Sequence, residues 1–281
     1  MNIDDIRNKV NVSPEYDFLR VNEHLGDNIM LLAISGSHSY GTDTEASDID
    51  IRGCSLNTKE EMLLYKDFSN ISDAGTDTKI FSFKIFMKKL VKSNPDTIEL
   101  LGINPDMYLH ISEIGHVLLN NSDKFLSASV SKTFGGYIHD RLKEMDMLSK
   151  KFSDISDRTS EYYYRHHKLL SKHMMYIIHK YLLVIDILNF GEVRTYREAE
   201  HDLLMSIKMG EFLTEDFKIR LSYYDMITDY RTRLEKSIQC TSLPDKPDHD
   251  WINKFIMSVN ESIITGKNIN ELMNGGILKC L

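Results

Sequence analysis

Two aspartates one residue apart, Asp48 and Asp50, have the spacing that most directly indicates chemistry in this sequence. They alternate with apolar residues in Ser47-Asp48-Ile49-Asp50-Ile51, a pattern that predicts a strand. Because successive side chains of a strand alternate between its two faces, both carboxylates would point the same way. Neighbouring carboxylates repel each other unless a cation lies between them, so the pair predicts a divalent metal, Mg²⁺ or Mn²⁺. A solvated acidic edge is the alternative, and the isoleucines disfavour it.

A glycine-serine pair, Gly36-Ser37, ends the apolar run Leu31 to Ser35. Small residues at such a turn allow a phosphate group to approach the backbone closely, so Gly36 and Ser37 are predicted to bind phosphates. An ordinary strand-to-helix turn is the alternative interpretation. Taken with the two acids, the pair predicts a site for a metal ion and a nucleoside triphosphate.

The combined pattern is Gly36-Ser37, Tyr40-Gly41, Ser47-Asp48-x-Asp50 and Arg52-Gly53. It resembles the signature of the DNA polymerase β-like nucleotidyltransferase superfamily, and most closely its RNA-repair-ligase-associated family. The stretch from Asn94-Pro95 to Glu99-Leu100-Leu101 resembles the same family. Short motifs recur by chance, but a pattern spread over about eighteen positions in a strand-turn-strand context is specific.

The resemblance implies that Asp48 and Asp50 bind metal ions and that NMP passes from an NTP, expected to be ATP, to a hydroxyl group. An RNA or tRNA end is the acceptor that the family implies. Transfer to a protein hydroxyl or to a small molecule would use the same catalytic core, and the fold does not distinguish these acceptors. A nucleotide-binding sensor that kept the pocket without turnover is the alternative from a different class.

A third carboxylate is usual in such sites, as a general base or as a metal ligand. Asp77 is the predicted residue, because it precedes a third strand, Thr78 to Phe83, that should lie beside the second. Asp73, Glu45 and a simple loop aspartate remain alternatives. Without a third carboxylate near the metals, catalysis would be in doubt while nucleotide binding would not.

Basic side chains could supply the contacts to phosphate. Arg52 follows Asp50 on the same strand face and would contact a phosphate or form an ion pair. On one stripe of a later helix lie Arg165, Lys168, Lys172, Tyr176 and His179. Lys172 and Tyr176 are predicted to bind the nucleotide; a solvated helix face is the alternative. His173 and His179 lack the spacing of a helical zinc pair.

Three strands, Ile29 to Ser35, Asp48 to Ser55 and Thr78 to Phe83, must position these side chains. Long helical stretches are predicted at 112–121, 127–151, 160–190, 195–209, 214–239 and 250–264. We therefore predict an α+β protein, with a small mixed sheet and flanking helices followed by a helical half. The expected domains are a polymerase-β-like nucleotidyltransferase domain over 1–110 and a helical domain over 111–281. Gly135-Gly136 suggests either a helix break or a close backbone approach.

Composition sets limits on partners. The 281-residue chain is 42% hydrophobic and 27% charged, with a net charge of −8, so nucleic acid binding would need a local basic patch. Cys54, Cys240 and Cys280 show no CxxC spacing, which argues against zinc or disulfides and for a reducing, cytoplasmic compartment. No apolar run approaches the ~18 residues of a membrane span. We expect a soluble protein without a membrane partner, and the oligomeric state is not predicted.

Overall fold

The computed structural model describes residues 2–45, 47–155 and 157–274. Within them, a mixed sheet has the strand order β3-β4-β2-β1-β5, in which β2 and β4 are parallel and the other neighbours antiparallel. The strands are β1 (Ile29–Ser35), β2 (Asp50–Ser55), β3 (Asn70–Asp73), β4 (Thr78–Ser82) and β5 (Tyr108–Ile111). The prediction of an α+β fold with a small mixed sheet is confirmed.

Helices flank the sheet and form the rest of the chain. They are α1 (Ile3–Val12), α2 (Phe18–Val21), α3 (Gly36–Tyr40), α4 (Lys59–Leu64), α5 (Phe83–Val91), α6 (Pro95–Ile98), α7 (Glu113–Leu119), α8 (Val130–Phe152), α9 (Glu161–Phe190), α10 (His201–Lys208), α11 (Leu221–Cys240), α12 (His249–Thr265) and α13 (Ile269–Asn274). The predicted helical half is confirmed. In it, α9 packs against α8, α10 and α11.

The sheet brings three chain segments to one edge. β1 is apolar and buried from Ile29 to Ile34, as expected for a central strand. Ser35 at its end lies opposite Asp50 at the start of β2. In the parallel pair, Ile51 lies opposite Thr78, so β4 starts at the same edge. The end of β1 and the starts of β2 and β4 therefore meet.

Two predicted strand boundaries are wrong. β2 begins at Asp50 and not at Asp48, so the alternation of strand side chains does not extend to Asp48. β4 ends at Ser82 and not at Phe83, because the Ser82 side chain accepts a hydrogen bond from the Ile85 N–H and caps α5. β3 and β5 were not predicted from the sequence, because they are short edge strands without a continuous apolar run.

The Gly135-Gly136 prediction is also wrong. α8 continues through both residues from Val130 to Phe152. A Cβ atom built on either glycine would meet no atom within 4 Å. The pair therefore marks neither a helix break nor a close backbone contact.

The sheet extends to residue 111, since β5 ends at Ile111. The division into domains 1–110 and 111–281 stays a prediction. Cys54 and Cys240 are free thiols, and Cys280 lies outside the described residues. Among the described helices, none carries an apolar stretch long enough to cross a membrane.

Candidate active site

A cavity of about 260 Å³ lies between the meeting edge of the sheet and α9. Both halves of the chain contribute to its wall. The lining residues are Ser35, Gly36, Tyr40, Asp50, Arg52, Asp77, Asp96, Glu99, Tyr137, Lys172, Tyr176 and Lys180. Six predicted site residues are among them: Gly36, Asp50, Arg52, Asp77, Lys172 and Tyr176.

Asp50 lies directly beneath the backbone of Gly36. Gly36 has φ +62°, and a Cβ atom at this position would stand 2.0 Å from Asp50 Oδ2. A side chain would therefore collide with the carboxyl group in addition to straining the backbone. Glycine is needed here so that the start of α3 can approach the acid.

Asp77 is brought beside Asp50 by the parallel pairing of β2 with β4. The Ile51 N–H donates to the Asp77 carbonyl oxygen at 3.1 Å, which fixes Asp77 at the start of the ladder. Asp77 has φ +43°, a left-handed conformation that aspartate tolerates better than most residues. The two carboxyl groups share a hydrogen bond.

The two acids differ in their protonation. Burial, together with the hydrogen bond and the charge of Asp77, raises the pKa of Asp50 to about 7. The hydrogen bond from Asp50, aided by the Arg52 guanidinium, lowers the pKa of Asp77. Arg52 Nη2 lies 2.9 Å from Asp77 Oδ1 and 3.5 Å from Asp50 Oδ1. Below about pH 7 a proton on Asp50, together with the Arg52 guanidinium, reduces the repulsion between the two carboxyl groups.

Asp48 is placed apart from this cavity. Its side chain is exposed and lines a second cavity of about 460 Å³, beside Ser47, Thr76 and Asp77. Among the residues that the structure describes, Asp77 is the one that lines both cavities. The predicted third carboxylate therefore lies between the other two predicted acids.

The metal set Asp48, Asp50 and Asp77 stays a prediction. Among residues 2–45, 47–155 and 157–274, no three or more His, Cys, Asp or Glu side chains form a group that could hold a metal ion. The paired carboxyl groups of Asp50 and Asp77 nevertheless fit a hard divalent cation. Mg²⁺ is commonly held by one or two carboxylates together with substrate phosphates.

The alternatives to Asp77 are engaged or distant from Asp50. Asp73 Oδ2 accepts hydrogen bonds from the Thr76 N–H and hydroxyl at 2.8 and 2.9 Å, so it shapes the turn before β4. Glu45 is exposed. Neither residue lines the cavity of Asp50.

Ser37 does not line the cavity. Only 2% of its surface is exposed, and its carbonyl accepts the Thr42 N–H at 2.9 Å. Ser35 and Gly36 line the cavity instead. A phosphate contact through the Ser37 hydroxyl stays a prediction.

The basic stripe of α9 divides into different environments. Lys172 and Tyr176 line the cavity, and the Lys172 ammonium lies 5.7 Å from the centre of the Tyr176 ring. Arg165 is exposed and pairs with Glu161 at 2.9 Å. His179 is fully buried, stacks on Tyr40 at 3.7 Å, and burial lowers its pKa well below the usual value. The stripe is therefore not a continuous phosphate-binding surface.

A buried charged cluster closes the deep end of the cavity, and the sequence analysis missed it. The Lys180 ammonium and the Tyr40 hydroxyl both donate to the Glu99 carboxylate, the latter at 2.8 Å. Lys180 also lies 3.3 Å from the Tyr40 hydroxyl. The cluster joins three parts of the chain: α3, which contains Tyr40; the segment that follows α6, which contains Glu99; and α9, which contains Lys180. The signal available in the sequence was the resemblance around Glu99.

Lys208, to which the sequence analysis assigned no role, holds the segment between α3 and β2. Its ammonium donates to the Thr42 carbonyl at 2.5 Å and lies 3.4 Å from Ser47 Oγ. Burial and the nearby ammonium of Lys172 lower the pKa of Lys208 to about 8. The helical half thus positions the segment that leads to Asp48.

One curated relative is a 38.9 kDa protein of Enterobacteria phage T4, described as uncharacterized and encoded in the nrdC-mobD intergenic region. It is 23% identical over 137 residues, which cover 43% of this chain. The chain spans 40% of the length of that phage protein.

The family model described as "RNA repair pathway DNA polymerase beta family" matches residues 10–258. The match covers the sheet, α9 and the buried cluster that joins them. It also confirms the resemblance found in the sequence. The chain therefore belongs to the RNA repair pathway DNA polymerase beta family.

Proposed function

We propose that the protein is a divalent-metal-dependent nucleotidyltransferase. It would cleave a nucleoside triphosphate, ATP in the first instance, between the α- and β-phosphates and pass NMP to a hydroxyl at an RNA or tRNA end. The observation that carries the proposal is the carboxyl pair of Asp50 and Asp77, which both contact Arg52 and line a cavity that Lys172 also lines. The description of the family supports a role in RNA repair.

Asp50 and Asp77 would hold the metal, since carboxylate oxygens are ligands that Mg²⁺ and Mn²⁺ prefer. When bound, such an ion would supply stabilisation of the negative charge that develops on the phosphate oxygens during the displacement. Asp50 must lose its proton to become a ligand, and its pKa of about 7 makes that loss inexpensive near neutral pH. Asp77 is the candidate base for the acceptor hydroxyl, because it lines both cavities.

The phosphates would be bound by the cationic and backbone groups of the smaller cavity. Lys172 lines the cavity from a half-buried position on α9, so its ammonium would pair with an anion bound there. Arg52 already contacts both acids and would neutralise charge next to the triphosphate. Gly36 leaves room for close approach to the backbone.

The second cavity would receive the acceptor. It offers polar groups from Ser47, Asp48 and Thr76, and it meets the first cavity at Asp77. An acceptor hydroxyl entering there would reach Asp77, which the first cavity shares. Donor and acceptor would then meet at the one carboxylate that both cavities share.

The test is transfer of label from α-³²P-ATP, with and without Mg²⁺, to RNA ends, to added protein and to the enzyme itself. We expect labelled RNA, and a rate lower by about 10²–10³-fold in Asp50→Asn and Asp77→Asn, the usual cost of removing one charge-stabilising group. Asp106→Asn is the matched control, because this exposed aspartate lies outside both cavities.

The acceptor that carries label decides between the transferase alternatives. Label on protein would show that the acceptor is a protein hydroxyl and not an RNA end. ATP binding without transfer to any acceptor would contradict the enzyme and favour a nucleotide sensor. An unchanged rate in Asp77→Asn would show that Asp77 is not the base.

A further inference from the structure

A groove of about 500 Å³ lies between α5 and α12, with Met62 of α4 at its side. It shares no lining residue with the two cavities that contain the acids. Its floor is apolar and consists of Phe83, Met87, Val91, Ile256 and Ile263. This is the composition of a surface that buries apolar groups of another molecule.

One rim of the groove is basic. Lys84, Lys88 and Lys92 line it from exposed positions four residues apart on α5 and its C-cap. Lys84 pairs with Asp67, whereas Lys88 and Lys92 have no carboxylate partner among the residues that the structure describes. In a protein with a net charge of −8, this rim selects for an anionic partner.

The groove also contains a polar group without a partner. Asn57 lines it and is only 7% exposed. Its Nδ2 atom is buried and makes no hydrogen bond within the described part of the chain. A buried donor of this kind costs free energy unless it is paired, so the lining of the groove contains one unsatisfied donor among the described residues.

Exposed apolar side chains lie next in the chain to two residues that line the groove. Leu63, Leu64 and Tyr65 directly follow Met62 in the chain, and the Tyr65 side chain is 94% exposed. Met257 is exposed next to Ile256. Exposed large apolar side chains near an apolar groove are a feature of protein interaction sites.

We propose that this groove binds an acidic amphipathic helix of a partner protein. Its apolar face would lie on the floor, and its carboxylates would pair with Lys88 and Lys92. They would also replace Asp67, which lines the groove too, as the partner of Lys84. Residues four apart on a helix are separated by about 6 Å along the axis, so acids at i, i+4 and i+8 of a helix lying along α5 match the lysines. The apolar floor favours such a helix over a nucleic acid backbone, which is charged along its whole length.

The test uses synthetic helices of about five turns and measures fluorescence anisotropy with the full chain. One peptide has a leucine face with glutamates at i, i+4 and i+8. A second replaces these glutamates with lysine, and a third replaces the leucines with glutamine. An oligouridylate of similar length serves as the nucleic acid probe.

We expect the acidic leucine peptide to bind and the other two peptides to bind at least tenfold more weakly. The double variant Lys88→Glu/Lys92→Glu should weaken binding of the acidic peptide about tenfold. Lys150→Glu/Lys151→Glu makes the same change of net charge on exposed residues outside the groove and should leave binding unchanged. Unfolding curves and label transfer should be unchanged in both variants.

Several results would overturn the proposal. Equal binding of all peptides, or no binding, excludes a specific groove for an acidic helix. Tighter binding of oligouridylate with the same dependence on Lys88 and Lys92 would identify nucleic acid instead. Peptide binding that appears only after removal of residues 275–281 would identify that segment as the occupant. Self-association that Lys88→Glu/Lys92→Glu abolishes would identify a second copy of this chain.

Discussion

The cavity at the sheet edge has two walls that are built in different ways. The acid wall consists of Asp50, Arg52 and Asp77, which lie at the starts of two paired strands. The helical wall consists of Lys172, Tyr176 and Lys180, which lie at successive four-residue intervals on α9. Backbone hydrogen bonds of the sheet fix the first wall, and packing of a long helix fixes the second.

We expect the acid wall to carry the chemistry and the helical wall to position the ligand. An acid-wall side chain can be replaced while the strand ladder stays intact, because the ladder is made by backbone groups. Burial varies along the helical wall. Lys180 is buried against Glu99, whereas Lys172 is only half-buried. On this stripe of α9, a substitution of Lys180 should therefore lower stability, whereas a substitution of Lys172 should weaken ligand binding.

Breaking the buried pair should have the largest effect on stability. Lys180→Met leaves the Glu99 carboxylate buried without its cation, and removing one partner of such a pair costs about 3–5 kcal/mol. We expect urea unfolding to show a loss of this size. The double variant Lys180→Met/Glu99→Leu should lose less than the sum of the single variants.

The matched control is the exposed pair of Arg158 and Glu215, whose charged groups lie 3.0 Å apart. Arg158→Met should cost less than about 1 kcal/mol, because water screens exposed pairs. Equal losses in Lys180→Met and Arg158→Met would remove the distinction between the deep and outer parts of the helical wall.

Lys172→Met should separate binding from chemistry. Hydrogen bonds to charged groups contribute about 1.5–3 kcal/mol, so we expect KM for ATP to rise roughly 10–100-fold with kcat nearly unchanged. Arg165→Met, on the same helix and paired with Glu161, should leave both constants unchanged. A fall in kcat as large as that of Asp50→Asn would show that Lys172 acts in the chemical step, like the residues of the acid wall.

Asp50 should limit the stability of the metal-free protein at high pH. Its pKa is about 7 in the folded chain against an ordinary value of 3.8, so between these values the folded state holds a proton that the unfolded state has lost. The free energy of unfolding therefore falls as pH rises from about 4 to 7. The lowered pKa of Asp77 acts in the opposite sense, and its contribution is lost as pH falls below about 4.

Asp50→Asn removes the loss of stability that ionisation of Asp50 causes, and the asparagine amide still offers a hydrogen-bond donor toward Asp77. At pH 8 in EDTA we expect the variant to melt a few degrees higher, since 1 kcal/mol corresponds to about 2–4 °C in a chain of this size. The difference should shrink as pH falls and vanish at about pH 3 and below, where the wild-type acid is protonated in both the folded and the unfolded state. A variant that melts lower at pH 8 would show that ionised Asp50 is stabilised by Arg52.

The sequence predicted the acid wall better than the helical wall for a physical reason. An apolar strand that ends in Gly36 and a strand that starts with Asp50 are local patterns, and pairing of neighbouring strands brings Asp77 to them. Asp48 shows the limit of this reasoning. Strand alternation predicts its direction only if the strand includes it, and β2 begins two residues later.

The helical wall depends on contacts between residues far apart in the chain. Periodicity placed Lys172 and Tyr176 on one face of a helix, but it could not tell that Lys180, rather than His179, would line the cavity. Glu99 lies 81 positions from Lys180, and Lys208 lies 166 positions from Thr42. Only the packed structure shows that these residues meet.

The glycine pair in α8 gives the smallest expected effect and the sharpest check on local reasoning. Gly135 and Gly136 are helical, and a Cβ at either position meets open space. Gly135→Ala and Gly136→Ala should each stabilise the chain by about 0.5–1 kcal/mol in urea unfolding, because alanine loses less backbone entropy in a helix. Tyr137, the next residue, lines the cavity, so label transfer tests whether the glycines also serve the site. Unchanged transfer with higher stability would show that the pair has no structural requirement, whereas slower transfer would show that backbone freedom beside Tyr137 contributes to turnover.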